Sequence, residues 1–215
     1  IRGRNFGSTT RIWRPEEIVN GRLPTQLDGV SVNVNGKPAY VYFISPEQIN
    51  VQAPSDESLG DVPVEVVVNG VRSDPVMARL QKFSPGFFQW IGKYVVATDP
   101  SFNWRVKPGT FAGVNTTAAK PGDVIILWGT GFGLTSPQIP AGQTVDKPTT
   151  LVEPVRVTIG GLTAEYLGGA LSPGSAGLYQ IAVRVPEAAP NGDLPVVAEV
   201  GGFRSQDNAF LTVQK

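Results

Sequence analysis

Apolar residues recur at every second position over short stretches of this chain, and turn-forming residues close each stretch. Val30, Val32 and Val34 alternate with Ser31 and Asn33, and Ile49, Val51 and Ala53 alternate with Gln48, Asn50 and Gln52. In "DVPVEVVV" (61–68) the apolar face is Val62, Val64, Val66 and Val68, and Glu65 points the other way. A period of two marks a strand with one buried face. Asn35-Gly36 and Asn69-Gly70 lie between alternating runs, where tight hairpins need two residues that accept positive φ. Short strands joined by turns every 8–12 residues or so predict an antiparallel β-sandwich. Helix has one place to form, at "RPEEIV" (14–19), with Pro15 in its first turn.

The pattern repeats. "DVPVEVVVNGVRS" (61–73) returns without a gap as "DLPVVAEVGGFRS" (193–205), with seven of thirteen positions identical. "QINVQAP" (48–54) matches "QIAVRVP" (180–186) at the same offset, and "VSVNVNGKPA" (30–39) matches "VRVTIGGLTA" (155–164). "IRGRNFG" (1–7) corresponds to "LWGTGFG" (127–133). Order and strand parity hold throughout, which predicts two copies of one unit. The fold class that follows is all-β, with two tandem Ig-like antiparallel sandwiches and very little helix. Residues 1–83 form the first domain and 84–215 the second, whose N-terminal segment (84–120) is rich in aromatics. The first domain is incomplete at its N-terminus, because Ile1 falls inside a strand that the second enters through "AAKPGDVII" (118–126). The expectation is that the edge beside Ile1–Phe6 is completed by a preceding part of a larger polypeptide or by strand addition from another copy. "LGGALSPGSAG" (167–177) reads as an exposed loop peculiar to the second domain.

Composition narrows the chemistry. The 18 basic and 18 acidic residues cancel, so no basic footprint suggests nucleic acid as a partner. No apolar run approaches the length of about 18–20 residues that spans a bilayer. Gly 25 and Pro 19 are spread along the chain, as many short strands and turns require. There is no Cys and no His, which removes disulfides, thiolate and imidazole ligands and the commonest general base. No G-x-S-x-G elbow occurs, so catalysis is not expected. "PSDESLGD" (54–61) gathers Asp56, Glu57 and Asp61, but not at the EF-hand spacing, and reads as a solvated turn; no metal and no cofactor are expected.

The order "GTGFG" (129–133), "VRVTIGGLTA" (155–164), "GLYQIAVRVP" (177–186) and "NGDLPVVAEVGG" (191–202) resembles the Solibacter uncharacterised C-terminal domain family, Ig-like modules related to the IPT/TIG sandwiches. Those modules stand at the ends of large secreted bacterial proteins. The resemblance implies an extracellular or cell-surface setting and a structural, non-catalytic role as spacer, stalk or self-assembling piece. It implies no substrate.

One stretch keeps a binding function open. Phe87, Phe88, Trp90, Tyr94, Phe102, Trp104 and Phe111 concentrate aromatic side chains between the two copies. Trp90, Tyr94 and Trp104 are the candidate glycan-binding residues, stacking on sugar rings while Gln89, Asp99 or Asn103 bonds hydroxyls. The alternative for the same rings is packing within the second domain.

Overall fold

The computed structural model describes residues 1–215 and is almost entirely β. It divides into two compact units. The first comprises Ile1–Lys82 with two later segments, Ile139–Lys147 and Pro173–Gly177; the second comprises Phe83–Gln138, Pro148–Ser172 and Leu178–Lys215. No helix is long and apolar enough to cross a membrane.

In the first unit the longer strands are β1 (Val30–Val34), β2 (Tyr40–Ile44), β3 (Ile49–Gln52), β4 (Gly60–Val68) and β5 (Val76–Leu80). β4 lies between β1 and β5, all antiparallel, with Val32 opposite Val66 and Val62 opposite Ala78. β2 and β3 form the other sheet, and Arg11–Ile12 pairs with β2. The alternation places Val30, Val32, Val41, Ile44 and Ile49 in one buried cluster between the sheets. Each such side chain contributes about 1.5–3 kcal/mol when removed from water.

Ile1 also joins this sheet. Its amino group donates to the Ile49 carbonyl at 2.8 Å, and the Ile49 N–H donates to Ile1 at 3.0 Å. The predicted helix is a single 3-10 turn, Pro15–Glu17. Arg11 holds it by bonding both Glu17 and Asp28, while the Arg14 N–H donates to Glu17 at 2.7 Å.

The second unit repeats the scheme with β6 (Val124–Thr130), β7 (Arg156–Ile159), β8 (Glu165–Leu171), β9 (Tyr179–Arg184), β10 (Gly192–Val200) and β11 (Phe210–Val213). One sheet runs β6–β9–β8 and the other β7–β10–β11. The same register recurs, with Leu194 opposite Leu211 where the first unit has Val62 opposite Ala78. Leu127 faces Ile181 across β6 and β9, as Ile1 faces Ile49. Asn35-Gly36, Asn69-Gly70, Gly160-Gly161 and Gly201-Gly202 all have positive φ, as their hairpins require.

The echoed Arg and Ser have different fates. Arg72 sits diagonal to Glu65 and bonds it at 3.0 Å, whereas Arg204 stands directly opposite Glu199. The serines do the same job twice. Ser73 Oγ accepts the Val66 N–H at 3.0 Å, and Ser205 Oγ accepts the Ala198 N–H at 2.9 Å. Each satisfies a strand donor where the hairpin's return strand breaks off.

One expectation needs correction. Residues 167–177 are not a free loop: Glu165–Leu171 is β8, paired with β9 through a bulge between Tyr166 and Gly168. Leu171 and Ser172 are buried, and Pro173–Gly177 packs into the first unit. The bulge disguised the strand, since one extra residue shifts the alternation to the other face.

Candidate functional site

The aromatic segment folds onto the second unit along both sheets. Gly86–Phe87 and Ala97–Thr98 pair antiparallel with β6. Between them, Gln89–Trp90 pairs with Tyr94–Val95, and Tyr94 pairs in parallel with Phe210 of β11. Phe87 and Val95 therefore point into the core, and Phe87 packs 5.6 Å from Phe132, centroid to centroid. Packing within the unit accounts for these residues.

Trp90 and Trp104 come together at the surface. Their rings lie 5.6 Å apart, and Phe111 stands 5.3 Å from Trp90 and 5.4 Å from Trp104. Trp104 remains 42% exposed, while the Trp90 Nε1 is buried without an acceptor. Beside this cluster runs an open groove of about 450 Å³ lined by Asp99, Phe102, Asn103, Trp104, Arg105, Asn115 and Thr117. Phe102, 58% exposed, packs its ring 6.1 Å from Trp128. The groove thus combines two exposed rings with amide, hydroxyl and guanidinium groups.

Asp99 shapes this loop. Its carboxylate accepts from Ser101 N–H, from Asn103 N–H and side chain, and from Arg105 at 3.0 Å. Those bonds, the Asn103 side chain first and against an opposing effect of burial, hold its pKa below the usual carboxylate range. Asp99 is a turn-former, with little capacity left for a ligand. Gln89 is likewise committed, donating to the Asn208 carbonyl at 2.7 Å. Arg105 and Thr117, which sequence reasoning passed over, are bonded to each other at the groove wall. No spacing in the chain foreshadows that, because the two residues are twelve positions apart in sequence.

Tyr94 is placed elsewhere. It is only 7% exposed, its hydroxyl donates to Asp193 at 3.1 Å, and the Lys93 ammonium sits 5.2 Å above its ring. Asp193 also accepts from Thr212 at 2.7 Å and from Lys93 and Lys107 at 3.2 and 3.4 Å. Burial alone would raise this carboxyl, but those partners outweigh it and hold the pKa at about 2, against an ordinary 3.8. A depressed carboxylate adds stability above about pH 4 and loses it as the pH falls through about 2. Asp193→Asn is accordingly expected to cost about 1 kcal/mol at neutral pH, the site being partly open to water. Urea midpoints between pH 2 and 4 should fall more gently for the variant than for the parent. Parallel curves would mean the network contributes nothing.

The acidic stretch of the first unit is equally self-contained. Asp56 accepts from Ser58 N–H, from the Asn35 side chain at 2.8 Å and from Lys37 at 3.3 Å, which keeps it ionised well below the usual range.

These features define an all-β protein of Ig-like antiparallel sandwiches. Within it, residues 1–83 match the family model of the IPT/TIG domain, a non-catalytic Ig-like module. No curated protein matches the chain.

Proposed function

We propose that this chain is a structural module of a secreted or cell-surface bacterial protein, serving as a spacer or assembly piece rather than an enzyme. The observation that carries the reading is the IPT/TIG match over residues 1–83 on a frame made of antiparallel sandwiches. The narrower kinship with the Solibacter C-terminal modules, and the origin of both units in one duplicated sequence, belong to the same proposal. The common register of β4–β5 and β10–β11 supports the duplication.

The groove beside Trp104 favours a second reading, a carbohydrate-binding module. The exposed rings of Phe102 and Trp104, lining one groove with Asn103 and Asn115, suit a sugar's apolar face and hydroxyl edge. A glycan array with the parent chain and with Trp104→Ala separates the two. The structural reading expects no saturable binding by either protein. Binding that weakens about tenfold in Trp104→Ala, equivalent to about 1.4 kcal/mol, would establish the second reading instead. Trp90→Ala is the poorer probe, since that half-buried ring also supports its neighbours and its loss is expected to cost about 2 kcal/mol of stability.

A further inference from the structure

The charged side chains lining the groove beside Trp104 are Asp99 and Arg105, and they neutralise each other. They meet at 3.0 Å, and both are largely shielded from water. The guanidinium is fully engaged: Nη2 donates to Asp99, Nη1 donates to the Thr117 hydroxyl, and Nε is buried. The carboxylate is equally occupied. Its Oδ1 accepts the Ser101 and Asn103 N–H groups at 2.8 and 2.9 Å, and its Oδ2 accepts the Asn103 side chain as well as Arg105. An anion could reach Arg105 only by displacing Asp99, which would leave a shielded carboxylate without its cation. A cation would have to displace Arg105 in the same way.

The groups still free in the groove are uncharged. The Asn115 side chain is exposed and makes no hydrogen bond within the chain. The Asn103 side chain uses its NH₂ on Asp99 and keeps its oxygen open. An amide donates and accepts, as a sugar hydroxyl does.

The aromatic side of the groove is set in advance. Trp104 is propped by Trp90 and Phe111, at 5.6 and 5.4 Å. Phe102 has φ of +63°, a left-handed conformation that bulky residues rarely adopt. The Asp99 turn enforces it: the Phe102 N–H donates to the Asp99 carbonyl and the Asp99 N–H to the Asn103 carbonyl, both at 2.9 Å. Such strain persists only where the surroundings over-determine it, and here they fix a ring that is 58% exposed. Rings held in place before binding lose little freedom when a ligand arrives.

We infer that the groove selects uncharged saccharides, whose units carry no carboxylate, sulfate or phosphate. Phe102 and Trp104 contact the apolar face of the sugar, and Asn115 bonds its hydroxyls. Asp99 is a positioning residue that sets Phe102 and neutralises Arg105. This inference rests on the carbohydrate-binding reading of the groove.

The test titrates the 215-residue chain, followed by tryptophan fluorescence, with neutral gluco-, galacto- and manno-oligosaccharides and with the matching uronate oligomers. A neutral series should bind saturably and at least about tenfold more tightly than its uronate, with an affinity that does not change with salt. Asn115→Ala, at an exposed position without a partner, should weaken that binding about tenfold and leave the thermal midpoint unchanged. Asp99→Asn retains an oxygen for the turn's two backbone N–H groups but removes the charge that compensates Arg105. The uronates should then gain about tenfold relative to the neutral sugars. An Asp99→Asn chain that keeps the parent's preference would overturn the role given to Asp99. Uronates favoured by the parent chain would overturn the selectivity and leave the carbohydrate-binding reading standing. Neutral binding indifferent to both Asn115→Ala and Phe102→Ala would put the sugar elsewhere and overturn the site. Saturable binding of no oligosaccharide would overturn the reading itself, and the inference with it.

Discussion

Phe132→Ala is expected to lower the stability of the second unit by about 3–5 kcal/mol. The ring is fully buried and lies between Phe87, 5.6 Å away, and Tyr179, which meets it edge-on at 5.8 Å. Removing it takes away transfer free energy and leaves a cavity that its neighbours cannot close. Phe87 is anchored on β6, and the Tyr179 hydroxyl donates to the Gly133 carbonyl. Phe6, the counterpart in the first unit, is only half-buried, and its replacement by alanine should cost less, about 1–2 kcal/mol. Urea denaturation followed by tryptophan fluorescence provides the comparison. A loss below about 1 kcal/mol for Phe132→Ala would show that the core collapses around the gap.

Gly131→Ala should be nearly as severe, at about 3 kcal/mol, for a different reason. Gly131 has φ near +77°, and a methyl group there would lie 1.9 Å from the Ser84 carbonyl oxygen. The obstacle is backbone, tied by the Ser84 N–H to the Gly131 carbonyl at 3.0 Å, so it cannot swing aside as a side chain would. Gly161→Ala is the control. Its φ is +80°, but a methyl group would meet open space, so only the left-handed backbone penalty of about 1 kcal/mol applies. Equal losses for the two would mean that conformation, and not the close approach to Ser84, makes Gly131 necessary.

The "GTGFG" turn also shows how far the sequence could be read. Aligned with "GRNFG" (3–7), it pairs Gly131 with Asn5, and both take positive φ, +77° and +63°. Asparagine is the side-chain-bearing residue that enters this region most readily, so both stretches take the same bend; the matched spacing showed the correspondence, and the folded backbone showed the bend. Strand parity was legible: Val30, Val32 and Val34 cannot exchange faces without exposing themselves, and all three are buried. β8 was not legible, because its bulge at Tyr166/Gly168 breaks the alternation that marks a strand. Of the candidate site residues, Trp90 and Trp104 meet beside Phe111, whereas Tyr94 turns to Asp193, about a hundred residues further along the chain.

By itself the sequence determined the local and periodic features: the all-β class, the hairpins and the lack of thiol and imidazole chemistry. Each of these depends on a residue and its near neighbours, through backbone sterics, alternation or the presence of a functional group. Tertiary structure alone decided which polar groups are still free. Asp99 closes its own turn, Asp193 gathers Thr212, Tyr94 and two lysines, and the Asn115 side chain is left free. Whether a donor, a carboxylate or a ring is satisfied depends on partners distant in sequence, and only the folded chain brings those partners within hydrogen-bonding distance.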